Sequence, residues 1–480
     1  MPASSRWNSE ARTFALGLLA VAAVTLWRVA LLPFDRADLF VDDAQYWLWG
    51  QELAWGYYSK PPLIAWIIRA STTIGSDAPF WIRLPFPLIH AATAVVLAFV
   101  ARRLYGARVG GIAGAAFATL PAVALGSLLL STDTPLLLAF ALALRAQIAL
   151  GERRSLGWAI GLGAAVGVGL LAKYAMVYFP LAAVLAAIVA PRARIAWRDA
   201  LVAALVALAI VAPNLAWNVS NQLATLHHTA DNADWQDGRL DLAGLAAFLG
   251  GQFGVAGPVF FAAYLVGLAR IRDERTRFLA AMSLPILALV SVQATISGAN
   301  ANWAATAHLA ALVLACAVLA PRPRWLAAGF AINVAACLAL PLATLVADSW
   351  AIGGNLVLKR YVGQGAASRH MAEVARGQGL DVIVSDNRAI LADLFYSLRD
   401  SGLAIYAEPT DGFPPHHYAQ THPLPPGPGE VLYVGRGDPP HCRPGGTPGV
   451  EVARWRPATG YVTTDFAAFR VPRTCWFPEG

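Results

Sequence analysis

Eleven separate apolar runs, each long enough to cross a bilayer, limit this chain more than any other feature. They lie near residues 13–33, 80–103, 107–127, 134–150, 155–172, 174–190, 199–217, 243–269, 278–297, 303–320 and 325–346. A spanning helix needs about 17–25 such residues. A soluble fold cannot absorb this many, because its surface must still be covered by polar groups. The chain is 57% hydrophobic and 14% charged over 480 residues, whereas soluble domains average about 45–50% and about 25%. The sequence therefore predicts a mainly α polytopic membrane protein.

Charge placement sets the orientation. Alternate connectors carry Arg102, Arg103 and Arg108; Arg153 and Arg154; Arg192, Arg194 and Arg198; Arg270, Arg272, Arg275 and Arg277; and Arg322 and Arg324. The other connectors hold little beyond Arg36, Lys60, Arg69, Lys173 and Arg239. Loops rich in Arg stay in the cytoplasm, so that side takes the first set and, with Arg12, the N-terminus. No small-residue cleavage site follows the first run, which reads as an uncleaved span rather than a signal peptide. An odd number of spans leaves the C-terminus outside. The net charge of +7 follows from this distribution and points to the bilayer, not to nucleic acid.

Three regions fall on the outer face. Residues 34–79 form a long first loop whose apolar stretch, 61–68, is too short to span and is expected at the interface. Residues 218–242 form a polar loop with His227, His228, Asp231, Asp234 and Asp237. The membrane domain is taken as 1–347 and the soluble tail as 348–480. In the tail, helices are expected at 368–376 and 389–398, and strands at 382–384, 403–406, 430–434, 449–455 and 464–471. That pattern is a small α/β domain without a nucleotide-binding motif. Cys442 and Cys475 lie in the tail, in an oxidising compartment on this topology, and a disulfide is expected between them; metal binding with His441 is the weaker alternative.

Ionisable residues at membrane depth or at the mouth of a bundle are candidates for function. Asp42 and Asp43 begin a helix, where capping accounts for one carboxylate but not for two. The pair is read as a general base or as ligands for a divalent cation. Only three of the 36 basic residues are Lys, and two of them, Lys60 and Lys173, sit on the side that the positive-inside rule disfavours. An anionic ligand would explain both. Arg83 is a further phosphate ligand or an interfacial anchor, and Asp133 precedes Pro135 as a helix cap or a functional acid.

The order of these motifs carries a resemblance. Asp42-Asp43-Ala44-Gln45-Tyr46-Trp47 and Gly56-Tyr57-Tyr58-Ser59-Lys60-Pro61-Pro62 resemble the first outer loop of the aminoarabinose (lipid A) transferase-like glycosyltransferases, relatives of the protein O-mannosyltransferases in the GT-C superfamily. Arg83-Leu84-Pro85, Thr132-Asp133-Thr134-Pro135, Leu171-Ala172-Lys173-Tyr174, Trp217-Asn218 and Asn300-Ala301-Asn302-Trp303 follow in order, and the likeness continues loosely through 384–398.

The resemblance implies a GT-C fold with about eleven spans and a periplasmic tail, in the bacterial inner membrane. It implies transfer of a sugar from a polyprenyl phosphate donor to lipid A, lipopolysaccharide core or another envelope glycan, with inversion and without a nucleotide. Asp42 and Asp43 then take the catalytic positions, and Lys60, Lys173 and Arg83 bind the donor phosphate. Tyr46, Tyr57, Tyr58, Asp133, Asn302 and Trp303 are expected to contact substrate, and the chain is expected to act as a monomer. Ser59 and Gln45 depart from the Glu and Arg of the aminoarabinose enzymes, which brings the loop closer to relatives transferring uronic acids or neutral sugars. The competing readings are a transporter or flippase, which should show repeats and mid-membrane helix breaks, and an assembly scaffold, which has no need of paired Asp and Lys.

Overall fold

The computed structural model describes residues 3–231, 240–457 and 465–478; Asp234 and Asp237 of the polar loop lie outside the described residues. The chain divides into two compact units.

The first unit gathers Met1–Pro33, Lys60–Ile67 and Arg83–Pro341 and is helical. Among the described residues, six helical segments are long and apolar enough to span: Glu10–Phe34, Pro79–Tyr105, Asp133–Glu152, Trp197–Ser220, Glu274–Ser297 and Pro323–Thr344. The other apolar runs are shorter or interrupted, so the eleven runs do not become eleven full-length spans. The run at 243–269 folds as Leu242–Ala256 and Pro258–Leu268, bent by 111°. Gly257, at φ +81°, opens the turn, and Pro258 cannot donate into the preceding helix. The run at 107–127 stops at Thr119 and restarts at Pro121, again because proline cannot donate into the preceding helix. The interfacial stretch extends to a helix over Leu63–Ile74.

Small residues let these helices approach closely. Gly17 on helix Ala3–Leu31 and Gly111 on helix Ala107–Thr119 face each other so tightly that a Cβ on either would strike the opposing backbone. Buried Leu97, Phe117, Leu136, Phe140 and Leu312 form the centre of the bundle.

The second unit gathers Phe34–Ser59, Ile68–Ile82 and Leu342–Gly480. Most of the first outer loop thus folds with the tail. The Asp38 carboxylate accepts from the Gly363 and Gln364 N–H groups at 2.8 and 2.9 Å, satisfying the N-terminus of helix Gln364–Gly377. Trp47 packs edge-on against Tyr396, with ring centroids 5.0 Å apart.

A short hairpin, β1 (Ala351–Ile352) and β2 (Asn355–Leu356), precedes the main sheet. That sheet comprises β3 (Val382–Ser385), β4 (Ala404–Ala407), β5 (Glu430–Gly435), β6 (Val450–Trp455) and β7 (Phe466–Pro472), in the order β4-β3-β5-β7-β6. β3 runs parallel to β4 and β5, and β7 pairs antiparallel with β5 and β6. Val384, Val431, Tyr433, Phe469 and Trp476 form its core, beside the Cys442–Cys475 disulfide.

Candidate active-site residues

Within the helical unit, three motifs distant in sequence meet at Asp133. This residue opens helix Asp133–Glu152, where a carboxylate is favoured by the exposed N–H groups. Lys173 lies at an extended break after helix Leu156–Ala172 and points its ammonium at Asp133 Oδ1, 2.7 Å away. The Asn302 side-chain amide donates to Asp133 Oδ2 at 2.8 Å, from the 3-10 turn Ala301–Ala304. The Asp133 and Lys173 side chains are only 12% and 22% exposed, so the pair is little screened. One ammonium proton goes to Asp133, and the other two meet no acceptor among the described residues.

The same motifs supply the surrounding support. Tyr174 donates its hydroxyl to Asn214 at 2.8 Å and accepts from Asn218 at 2.9 Å. Thr134 Oγ1 lies 3.2 Å from the His90 ring. Trp303 is half-buried against the apolar core. Lys60 is half-buried. Arg83 is 2% exposed, so its guanidinium is buried within the protein.

In the second unit, Asp42 and Asp43 part company. Phe40 is the N-cap of helix Val41–Gln51, and the Asp43 carboxylate reaches back to its N–H at 3.4 Å. Asp43 is 1% exposed and caps the helix. Asp42, one position earlier and on a different face, is 43% exposed and pairs with Arg388. One carboxylate thus caps the helix and the other pairs with a guanidinium. Among the described residues no group of three or more His, Cys, Asp or Glu is arranged to hold a metal.

Arg388 has no place in the sequence-based site, yet it organises this one. It donates through Nε to Gln45 at 2.7 Å and through Nη2 to Asp42. Burial works against its charge, but Asp42 more than compensates and raises its pKa. Arg388 is the first residue of helix Arg388–Ser397, capped by Asn387. A cation is disfavoured at a helix N-terminus, and that mismatch was the available signal.

The tyrosines are largely committed to the fold. Tyr57 is 3% exposed, stacks on Trp49 at 4.6 Å and donates its hydroxyl to the Trp49 carbonyl at 2.7 Å; burial pushes its pKa up to about 12. Tyr46 lies 5.1 Å from Trp49. Tyr58 donates to the Pro414 carbonyl at 3.0 Å. All three have the geometry of packing residues. His417 sits edge-on to Trp49, 5.5 Å between centroids, and burial holds its pKa down at about 3.

Residues 59–217 match the family described as dolichyl-phosphate-mannose-protein mannosyltransferase. Lipid A galacturonosyltransferase RgtD of Rhizobium johnstonii is 42% identical over 471 residues, covering 96% of this chain and 99% of its own. Among solved structures, ArnT from Cupriavidus metallidurans bound to undecaprenyl phosphate matches with a TM-score of 0.64 at 16% identity, covering 94% of this chain and 97% of that one. The Archaeoglobus fulgidus oligosaccharyltransferase in complex with zinc and sulfate gives 0.52 at 12% identity, covering 86% and 67%. These two are likenesses of fold.

Proposed function

Because this chain belongs to the GT-C lipid A glycosyltransferases, multi-pass membrane enzymes that take their sugar from a polyprenyl phosphate, we propose that the sugar it transfers is a uronic acid of the galacturonate type. The acceptor is lipid A, and transfer takes place on the periplasmic face. The observation that carries this reading is Arg388. Its guanidinium has five N–H donors, Asp42 and Gln45 engage two of them, and its side chain is 40% exposed. The remaining edge matches a carboxylate fork.

The other roles follow from charge. Lys173, held by Asp133 and Asn302, stabilises the departing phosphate electrostatically, with Lys60 and Arg83 in the same role. Asp42 accepts the proton of the attacking hydroxyl. Single displacement at the anomeric carbon inverts its configuration. Gln45 holds the Arg388 side chain where a larger cation would repel it. The chain acts as a monomer on this reading.

The test supplies polyprenyl phosphate galacturonic acid and lipid A to the purified protein, with polyprenyl phosphate galactose in parallel. Consumption of the uronate donor and a mass gain on lipid A are expected. Equal or faster use of the neutral donor would overturn the uronate assignment, and no consumption of either would favour a transporter or scaffold.

A further inference from the structure

At the end of the bundle that carries the Arg-rich connectors, two adjoining cavities of about 450 and 580 Å³ open between helices. The first is lined by Arg103, Arg145, Arg153, Glu152 and Trp158. Arg103 is neutralised by a two-point contact with Glu152 at 2.6 and 2.5 Å. Arg145 and Arg153 have no carboxylate partner among the described residues. The second cavity shares Arg103 and Glu152 and adds Arg192, Arg275 and Glu274. Glu274 pairs with Arg192 at 3.5 Å, which leaves Arg275 without a carboxylate partner among the described residues.

Arg145 is the informative residue. It lies seven positions before the end of helix Asp133–Glu152, about 10 Å along the axis. The positive-inside rule needs charge in connectors and at helix ends, not two turns inside a span. Its guanidinium is held between the Phe99 and Trp158 rings, 5.4 and 5.6 Å from their centroids. Those contacts fix its position and leave its N–H donors available to the cavity. A snorkelling stem accounts for the direction of the side chain, but not for an open cavity holding two uncompensated guanidinium groups.

We infer that this paired cavity binds a phosphate-bearing anion, the headgroup of an anionic phospholipid of the facing leaflet. Basic pockets between helices at such a face suit a phosphodiester: planar guanidinium groups match its oxygens in two-point contacts, and the apolar walls at Val100, Ile148 and Ala149 accept the first carbons of the chains. The inference is independent of the sugar and of the outer residues.

The test is native mass spectrometry of the purified full-length protein, titrated with phosphatidylglycerol, with phosphatidylcholine as the neutral control and inorganic phosphate as the soluble arm. Phosphatidylglycerol is expected to bind in preference, and Arg145→Gln and Arg153→Gln each to weaken it about fivefold, the effect of one interfacial basic residue. Arg145→Lys retains charge and guards against misfolding, and Arg153→Gln changes an exposed residue. Saturable binding of phosphate alone, lost in the same variants, would support an anion site supplied from solution. Equal binding of both lipids, or unchanged phosphatidylglycerol binding in the Gln variants, would overturn the assignment.

Discussion

Lys173 and Asp133, forty residues apart, form an ion pair at 2.7 Å whose second carboxylate oxygen is held by Asn302. The pair fixes the ammonium in position and leaves two of its protons unused. Lys173→Met should lower turnover by about 10²–10³, the cost of losing one preorganised donor. It should also destabilise the protein, because Asp133 keeps a poorly solvated charge. Adding Asp133→Asn should restore stability without restoring turnover. Thermal unfolding of the four proteins should return a coupling of about 0.5–3 kcal/mol; additivity would mean that the pair is incidental.

Asp42 and Asp43 should separate cleanly. Asp42→Asn should cost about 10²–10⁴ in turnover with a hydroxyl acceptor, the usual loss of a general base. Asp43→Asn keeps an oxygen for the Phe40 N–H and loses only the charge, about 0.3–1 kcal/mol of helix stability, with turnover close to the parent. Steady-state rates of the two variants decide; equal collapse would make both carboxylates catalytic.

Arg388→Gln should raise KM for a uronate donor by about 10-fold or more, since a hydrogen bond between charged groups contributes about 1.5–3 kcal/mol. Use of a neutral-sugar donor should change far less. Arg388→Lys should recover part of the loss, because it restores the charge without the fork. A uniform loss on both donors would assign Arg388 to holding Asp42 alone.

The second unit should weaken in acid. Burial, followed by the charges of His422, His416 and Arg388, keeps His417 neutral down to about pH 3, while an unfolded chain protonates near pH 6.5. Between those values the unfolded state binds more protons, so stability falls as pH falls, by at most about 1.4 kcal/mol per pH unit. His416 is also shifted down and adds to the trend; Glu408, shifted up by burial, opposes it. The unfolding midpoint of the parent should therefore drop more between pH 7 and pH 4.5 than that of His417→Phe. Parallel curves would show that His417 titrates normally.

Orientation has its own test. An alkaline phosphatase fused after residue 478 should be active, and a fluorescent protein at the same place dark. The reverse pattern would put the tail in the cytoplasm.

Much of the fold was legible because it is local. The strands at Val382–Ser385 and Glu430–Gly435 announce themselves by short apolar, β-branched runs, and the helix expected at 389–398 forms one residue earlier, at Arg388–Ser397. Gly257-Pro258 is a strong breaker signal, yet the surrounding hydropathy was continuous enough to hide a 111° bend. Asp133, Lys173 and Asn302 were each visible as motifs, but their meeting at one carboxylate was not. Arg388 left only the weak signal of a cation at a helix N-terminus; its contact with Asp42, 346 residues away, was illegible, because no periodicity carries information over that distance.

The union of the first loop with the tail makes this protein's biogenesis discontinuous. Residues 34–59 and 68–82 leave the ribosome early, but the segment they fold with begins at Leu342. At ~5–20 residues per second, roughly 13–50 s of synthesis separate the two. For that interval Trp47 lacks Tyr396, and Asp38 has no helix to cap. The loop must persist as an unassembled chain, a target for proteases and chaperones, until residues 342–480 arrive. A premature stop anywhere before the tail therefore leaves the first loop without its fold, although every residue of that loop has already been made.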